Sequence, residues 1–105
     1  MTPRSIGPAT LAVLGALAEG YRYGFDIIDR TGLPSGTVYP ALGSLTRRDL
    51  ARSAWEDEGL ARAERRPRRR YYEITAEGRA VLASARARLG RLGLGARPAR
   101  SEEGP

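Results

Sequence analysis

A mainly α-helical domain carrying a two-stranded β-hairpin is the fold class this sequence predicts. Three observations predict it. Apolar residues recur at helical spacing in three segments ahead of residue 48. The period then falls to two around residues 50–56 and again around 70–74. An alanine-rich helical stretch follows, with a leucine stripe along it.

The first helix is expected over about 6–19. Pro8 suits the first turn, where its missing N–H costs nothing. Leu11, Leu14 and Ala18, with Val13 and Leu17 alongside, form a stripe facing a core, and Glu19-Gly20 ends it. Arg4 ahead of the apolar run 9–18, which ends Ala16-Leu17-Ala18, has the outline of a secretory signal, but a core-facing helix explains the same run. No stretch approaches the ~20 apolar residues of a membrane span, so a cytoplasmic protein is expected.

A second helix is expected over about 23–31, with Phe25, Ile27 and Ile28 as its apolar residues and Gly32 as its stop. The third, about 36–48, turns Val38, Ala41, Leu42 and Leu45 to one side, with Ser35 or Thr37 available as its cap. Pro40 argues for a start near Thr37, which would put it in the first turn.

From Leu50 to Glu56 the alternation sets Ala51, Ser53 and Trp55 on one face and Arg52, Ala54 and Glu56 on the other, as in a strand. The stretch 70–74 (Arg-Tyr-Tyr-Glu-Ile) is its partner, and 57–69 becomes a long, basic hairpin tip. Thr75 caps a final helix over about 76–93, with Glu77 in its first turn. Three helices, a hairpin and a closing helix make the winged form of the helix-turn-helix arrangement. The division expected is 1–75 for the winged helix, 76–93 for a C-terminal dimerisation helix and 94–105 for a disordered tail, too poor in apolar residues to pack.

Composition narrows the chemistry. The 105 residues contain no cysteine and no histidine, which excludes disulfides, zinc sites of the Cys or His type, thiol chemistry and imidazole catalysis. No nucleophile–base pair or metal set can be assembled, so neither an enzyme, a metal nor a cofactor is expected. The net charge is +6 and every one of the 18 basic residues is arginine, which favours bidentate contact with phosphate or guanine. A genome rich in G and C accounts equally well for arginine in place of lysine. It does not explain where the arginines cluster.

They cluster at the hairpin tip. Arg62, Arg65, Arg66, Arg68, Arg69 and Arg70 face a single acid, Glu64, within nine residues. Such a run repels itself unless an anion lies between its members, and the phosphate backbone is the natural one. Tyr71 beside it is placed to add a phosphate hydrogen bond or to pack. In the third helix, with Val38, Leu42 and Leu45 inward, Thr37, Tyr39, Gly43, Ser44 and Arg47 face outward; Ser35 and Arg48 at its ends complete the candidate reading set. Trp55 reads as core or dimer packing rather than a ligand platform. In the last helix Leu82, Ala85, Leu89 and Leu92 are spaced three, four and three apart, a heptad seam for a second copy or a stripe folded onto the chain's own core.

The stretch from Leu11 to about Leu82 resembles the PadR family of bacterial transcriptional regulators. The resemblance is carried by Leu11-Ala12-Val13-Leu14 with Gly20, Tyr23-Gly24-Phe25-Asp26-Ile27, Ser35-Gly36-Thr37-Val38-Tyr39-Pro40-Ala41-Leu42, Trp55-Glu56, and Arg70-Tyr71-Tyr72-Glu73-Ile74-Thr75-Ala76-Glu77-Gly78. It implies a homodimer that represses by occupying a double-stranded, inverted-repeat DNA operator and often releases it when a small-molecule effector binds. Asp49 departs from the glycine usual in the family between the third helix and the strand, and the last helix is short, as in the family's shorter branch. A sequence-specific DNA-binding regulator is therefore expected. The alternatives are a nonspecific RNA- or DNA-binding protein acting through the hairpin, and a ligand- or protein-interaction module on the same fold.

Overall fold

The computed structural model of the chain describes residues 6–93. The order is α1 (Pro8–Ala18), α2 (Gly24–Thr31), α3 (Ser35–Arg47), β1 (Ala51–Trp55), α4 (Glu58–Ala63), β2 (Arg70–Ile74) and α5 (Ala76–Arg91). Every predicted element is present, in a mainly helical fold with one antiparallel hairpin. The expected tail, 94–105, lies outside the described residues. Among the described residues no helix is long and apolar enough to cross a membrane.

The core explains α1. Rather than one stripe, Val13, Leu14, Gly15, Ala16 and Leu17 are all buried, because α2, α3, β2 and α5 each pack against this helix. Ile27, Val38, Leu42, Leu45, Leu50 and Leu82 complete the cluster. The four inward positions predicted for α3 are all buried. Phe25, expected with Ile27 and Ile28 on the apolar side of α2, is instead 46% exposed and joins an aromatic group described below.

Turns place α3. Gly32 ends α2 in the left-handed region, at φ 75°, and its N–H bonds to the Ile28 carbonyl. Leu33 and Pro34 complete a three-residue turn into α3. Neither Ser35 nor Thr37 caps that helix. Pro34 is the cap residue, and its carbonyl accepts from the Thr37 and Val38 amides at 2.9 and 3.0 Å. The helix thus starts one residue before the expected 36 and two before Thr37, and Pro40 falls inside it. Proline is tolerated there because the carbonyl it leaves unbonded belongs to Gly36, which is exposed to water. Tyr39 lies across Gly24, where any Cβ would stand 2.3 Å from its ring, so α2 and α3 meet at a glycine.

Asp49 follows α3 with φ 59°, in the left-handed region. That is the physical reason glycine suits the position, and aspartate is among the few other residues that tolerate it. The register then runs Ala51 to Ile74, Ser53 to Tyr72 and Trp55 to Arg70. The incoming edge of β2 is also paired. Tyr23 forms an isolated antiparallel bridge with Tyr71, and the Tyr72 amide donates to the Arg22 carbonyl at 2.9 Å, which ties the hairpin to the start of α2.

Thr75 caps α5 as expected, accepting from the Gly78 amide at 2.9 Å while donating to the Asp49 carbonyl at 2.8 Å. Gly78 lets α5 start against β1, since a Cβ there would stand 2.1 Å from the Leu50 carbonyl oxygen. The leucine stripe divides along this helix. Leu82 and Ala85 are buried in the chain's own core, Leu89 is half-buried and Leu92 is 65% exposed.

Candidate nucleic-acid interface

The third helix presents its outward face much as the residue pattern predicts. Ser35, Gly36, Tyr39, Pro40 and Arg47 are exposed, while Thr37, Gly43, Ser44 and Arg48 are half-buried. Arg47 folds back over Gly43, its Nη1 3.3 Å from where a Cβ would stand, and it has no carboxylate partner among the described residues. Tyr39 contributes in two ways: one part of its ring packs on Gly24, and 47% of the residue stays open to solvent. Hydroxyls, a glycine and a free guanidinium on one helix face are groups that bond base edges and phosphates.

The hairpin tip is more ordered than a charged loop would be. Asp57 caps the short helix α4 through the Leu60 amide, at 3.0 Å, and Glu58 pairs with Arg62 one turn on, at 3.6 Å. Asp57 followed by Glu58 is a helix-start signal that the strand-and-tip reading passed over.

Sequence reasoning also missed Glu56. It stood in the alternation as one more strand residue, yet it is only 4% exposed and organises the tip. Its carboxylate accepts from both terminal nitrogens of Arg66 and from the Arg69 amide, while its own amide bonds the Arg69 carbonyl. Arg66 also donates to Glu64 at 2.9 Å and is 19% exposed. Its place is inside the hairpin, which sets it apart from its neighbours in the basic run. The signal in the sequence was non-local, an acid ten residues from the arginine it neutralises.

Arg66 holds the Glu56 carboxyl below its ordinary value of 4.5; burial opposes this and the Arg69 amide assists it. A carboxyl lowered on folding stabilises the folded state above its ordinary pKa, and that contribution is lost as pH falls through the lowered value. Glu56→Gln is therefore expected to lower the melting temperature by several degrees at neutral pH. The gap to the parent protein should narrow below about pH 4.5, as the parent's own carboxyl titrates. Melting curves across that range check it; a gap that stays constant with pH would show that the ion pair does not stabilise the fold.

The remaining arginines point elsewhere. Arg65 is exposed, at φ 57°, with no partner among the described residues. Arg68 donates to the Glu56 carbonyl at 3.2 Å, and Arg70 to the Ser53 hydroxyl at 2.9 and 3.3 Å. Arg69 stacks over Phe25 and Tyr23, 5.0 and 5.7 Å from the ring centres. Those two rings stack at 6.0 Å, and Tyr23 meets the edge of Tyr71 at 6.5 Å. Arg22 covers Tyr71 at 5.5 Å and pairs with Glu73 at 2.6 Å. Tyr71 is thus half-buried in an arginine–aromatic stack that holds the hairpin against α2.

α1 and α5, with Arg30 and Thr31 of α2, line an open cavity of about 600 Å³. Leu11, Gly15, Leu82, Ala85 and Leu89 line it. Arg86 reaches over Gly15, its Nη2 3.2 Å from where a Cβ would stand, with no ion pair among the described residues.

Comparison with known proteins agrees with this geometry. The family described as "Transcriptional regulator PadR-like family" matches residues 13–84. Among curated proteins, no sequence matches the chain. A PadR-like transcription factor from Bacteroides fragilis is 26% identical, with a TM-score of 0.69 over 80% of this chain and 82% of that one. A PadR family transcription regulator from Clostridium difficile is similar in fold, with 23% identity and a TM-score of 0.69 over 83% and 92% of the two chains. The PcaV transcriptional regulator from Streptomyces coelicolor, solved in complex with its natural ligand, is 26% identical, with a TM-score of 0.70 over 89% of this chain and 62% of that one. With the match spanning more than half its length and running from α1 into α5, this chain belongs to the PadR-like family of transcriptional regulators.

Proposed function

We propose that the protein is a sequence-specific repressor, working in the cytoplasm as a homodimer on an inverted-repeat operator, and that a small molecule releases it. The observation that carries the reading is the pairing of two surfaces in one chain. One is an outward α3 face whose Arg47 has no carboxylate partner among the described residues; the other is a hairpin whose Arg65, Arg68 and Arg70 are exposed. Base edges give specificity and phosphates give affinity, and the two surfaces supply the groups for each. The α1–α5 cavity supports ligand release, since its volume lies within the range of small-molecule sites and its mainly apolar lining also carries Arg30, Arg86, Arg88 and Glu19. PcaV, of the same fold and 26% identical, was solved with its natural ligand.

Sequencing the DNA fragments that co-purify with the protein supplies the operator for a direct test. The double change Ser44→Ala and Arg47→Ala should then narrow the affinity gap between operator and random duplex, each base contact being worth ~1–3 kcal/mol. An unchanged ratio would remove α3 as the reading element and favour the nonspecific reading, in which the hairpin arginines alone hold any nucleic acid. No binding to any duplex at low salt would favour an interaction module instead.

A further inference from the structure

β1 carries one large apolar residue that neither the core nor the arginine–aromatic stack absorbs. Alternation puts Trp55 on the same side of the strand as Ala51 and Ser53. Along that side burial runs out: Ala51 is 3% exposed, Ser53 is half-buried and Trp55 is 52% exposed. The indole is not bare, because Arg70 and Arg68 lie over it, 5.5 and 5.8 Å from the ring centre. Both guanidiniums are held from behind, Arg70 by the Ser53 hydroxyl and Arg68 by the Glu56 carbonyl, and neither has a carboxylate partner among the described residues. The surface therefore sets an indole beside two guanidiniums that neutral acceptors hold in place and that no carboxylate among the described residues compensates.

A complementary surface must set an apolar body beside anions. One strand of duplex DNA does so, carrying a phosphate every ~3.4 Å of axis with a deoxyribose between successive phosphates. We propose that Trp55 is a DNA-contact residue whose indole seats against a backbone sugar while Arg68 and Arg70 take neighbouring phosphates. The proposal rests on the reading of the protein as a duplex-DNA binder and adds to it a non-ionic contact on the hairpin. Trp55 is a positioning contact here: it reads no base, so it strengthens operator and random duplex alike.

Two properties make it testable. Trp55 is the chain's single tryptophan, so indole fluorescence reports on this position alone. An apolar contact releases no counterions, so its loss changes affinity without changing the salt slope, whereas the loss of an arginine changes both. The full chain is titrated with a labelled random-sequence duplex, following anisotropy for binding and acrylamide quenching for access to the indole; inorganic polyphosphate serves as an anion without sugars. Duplex should shield Trp55 from acrylamide several-fold and polyphosphate should not. Trp55→Ala should lower duplex affinity about tenfold with an unaltered log–log salt slope, and Trp55→Phe should restore most of the loss. Circular dichroism of both variants should match the parent.

Binding by anisotropy with no shielding of the indole would overturn the proposal while leaving the DNA reading intact. So would shielding that appears with rising protein concentration in the absence of DNA, which would make this a face between copies. Failure of the full chain to bind any duplex at low salt would overturn both.

Discussion

Leu89→Glu is expected to leave the chain folded but monomeric, and to cost operator affinity by two to four orders of magnitude. The expectation follows from the way α5 divides its stripe. Leu82 and Ala85 are already buried within the chain, so the half that remains for a second copy is Leu89 and Leu92. A glutamate at 89 would set two carboxylates close together across a two-fold axis and remove a leucine from each side. Affinity falls because one winged helix makes a single groove contact, whereas a linked pair gains ~10²–10⁴ through effective concentration. Paired α3 helices would sit roughly 34 Å apart, on half-sites ~10 bp apart or a small multiple of that. Light scattering should give half the parent's mass with the helical signal retained. Leu82→Glu is the contrasting variant, and it should unfold, because that side chain is 4% exposed in the core cluster. If Leu89→Glu unfolds as well, the whole stripe belongs to the chain's own core. If it stays dimeric and still binds, another face holds the subunits together.

The second large effect concerns the hairpin. Arg65→Ala with Arg68→Ala should weaken binding to operator and random duplex alike, by about a thousandfold near 0.1 M salt, while their ratio survives. Each phosphate neutralised contributes ~0.9 to the log–log salt slope, so two arginines in each of two subunits account for ~3.6. These two are chosen because the structure leaves them exposed, whereas Arg66 is held by Glu56 and Glu64. Arg66→Ala should therefore disturb the hairpin's order more than its phosphate count. A salt slope unmoved by the double change would mean that the exposed arginines are only solvated.

Local chemistry explains why so much of this fold was legible. The inward face of α3, the alternation in β1 and β2, and the Thr75 cap each depend on residues within one turn or one strand of one another. The boundary at α3 was missed because the choice among Pro34, Ser35 and Thr37 as cap depends on which backbone groups water can reach. α4 was missed because a strong basic run masked a weak, six-residue helical signal.

The sequence by itself determined the order of every element but α4, the residues of α3 that face outward, the concentration of arginine at the hairpin and the absence of any histidine or cysteine chemistry. These rest on periodicity and composition, which a chain carries whether folded or not. Tertiary structure alone decided which members of each pattern are spent on the fold. Arg66 goes to Glu56, Arg69 to Phe25 and Tyr23, and Leu82 to the core, leaving Arg65, Leu92 and Trp55 facing out. The physical reason is that burial and ion pairing are settled by partners distant in sequence: a guanidinium or an indole has the same local pattern whether it meets a carboxylate, a ring or water.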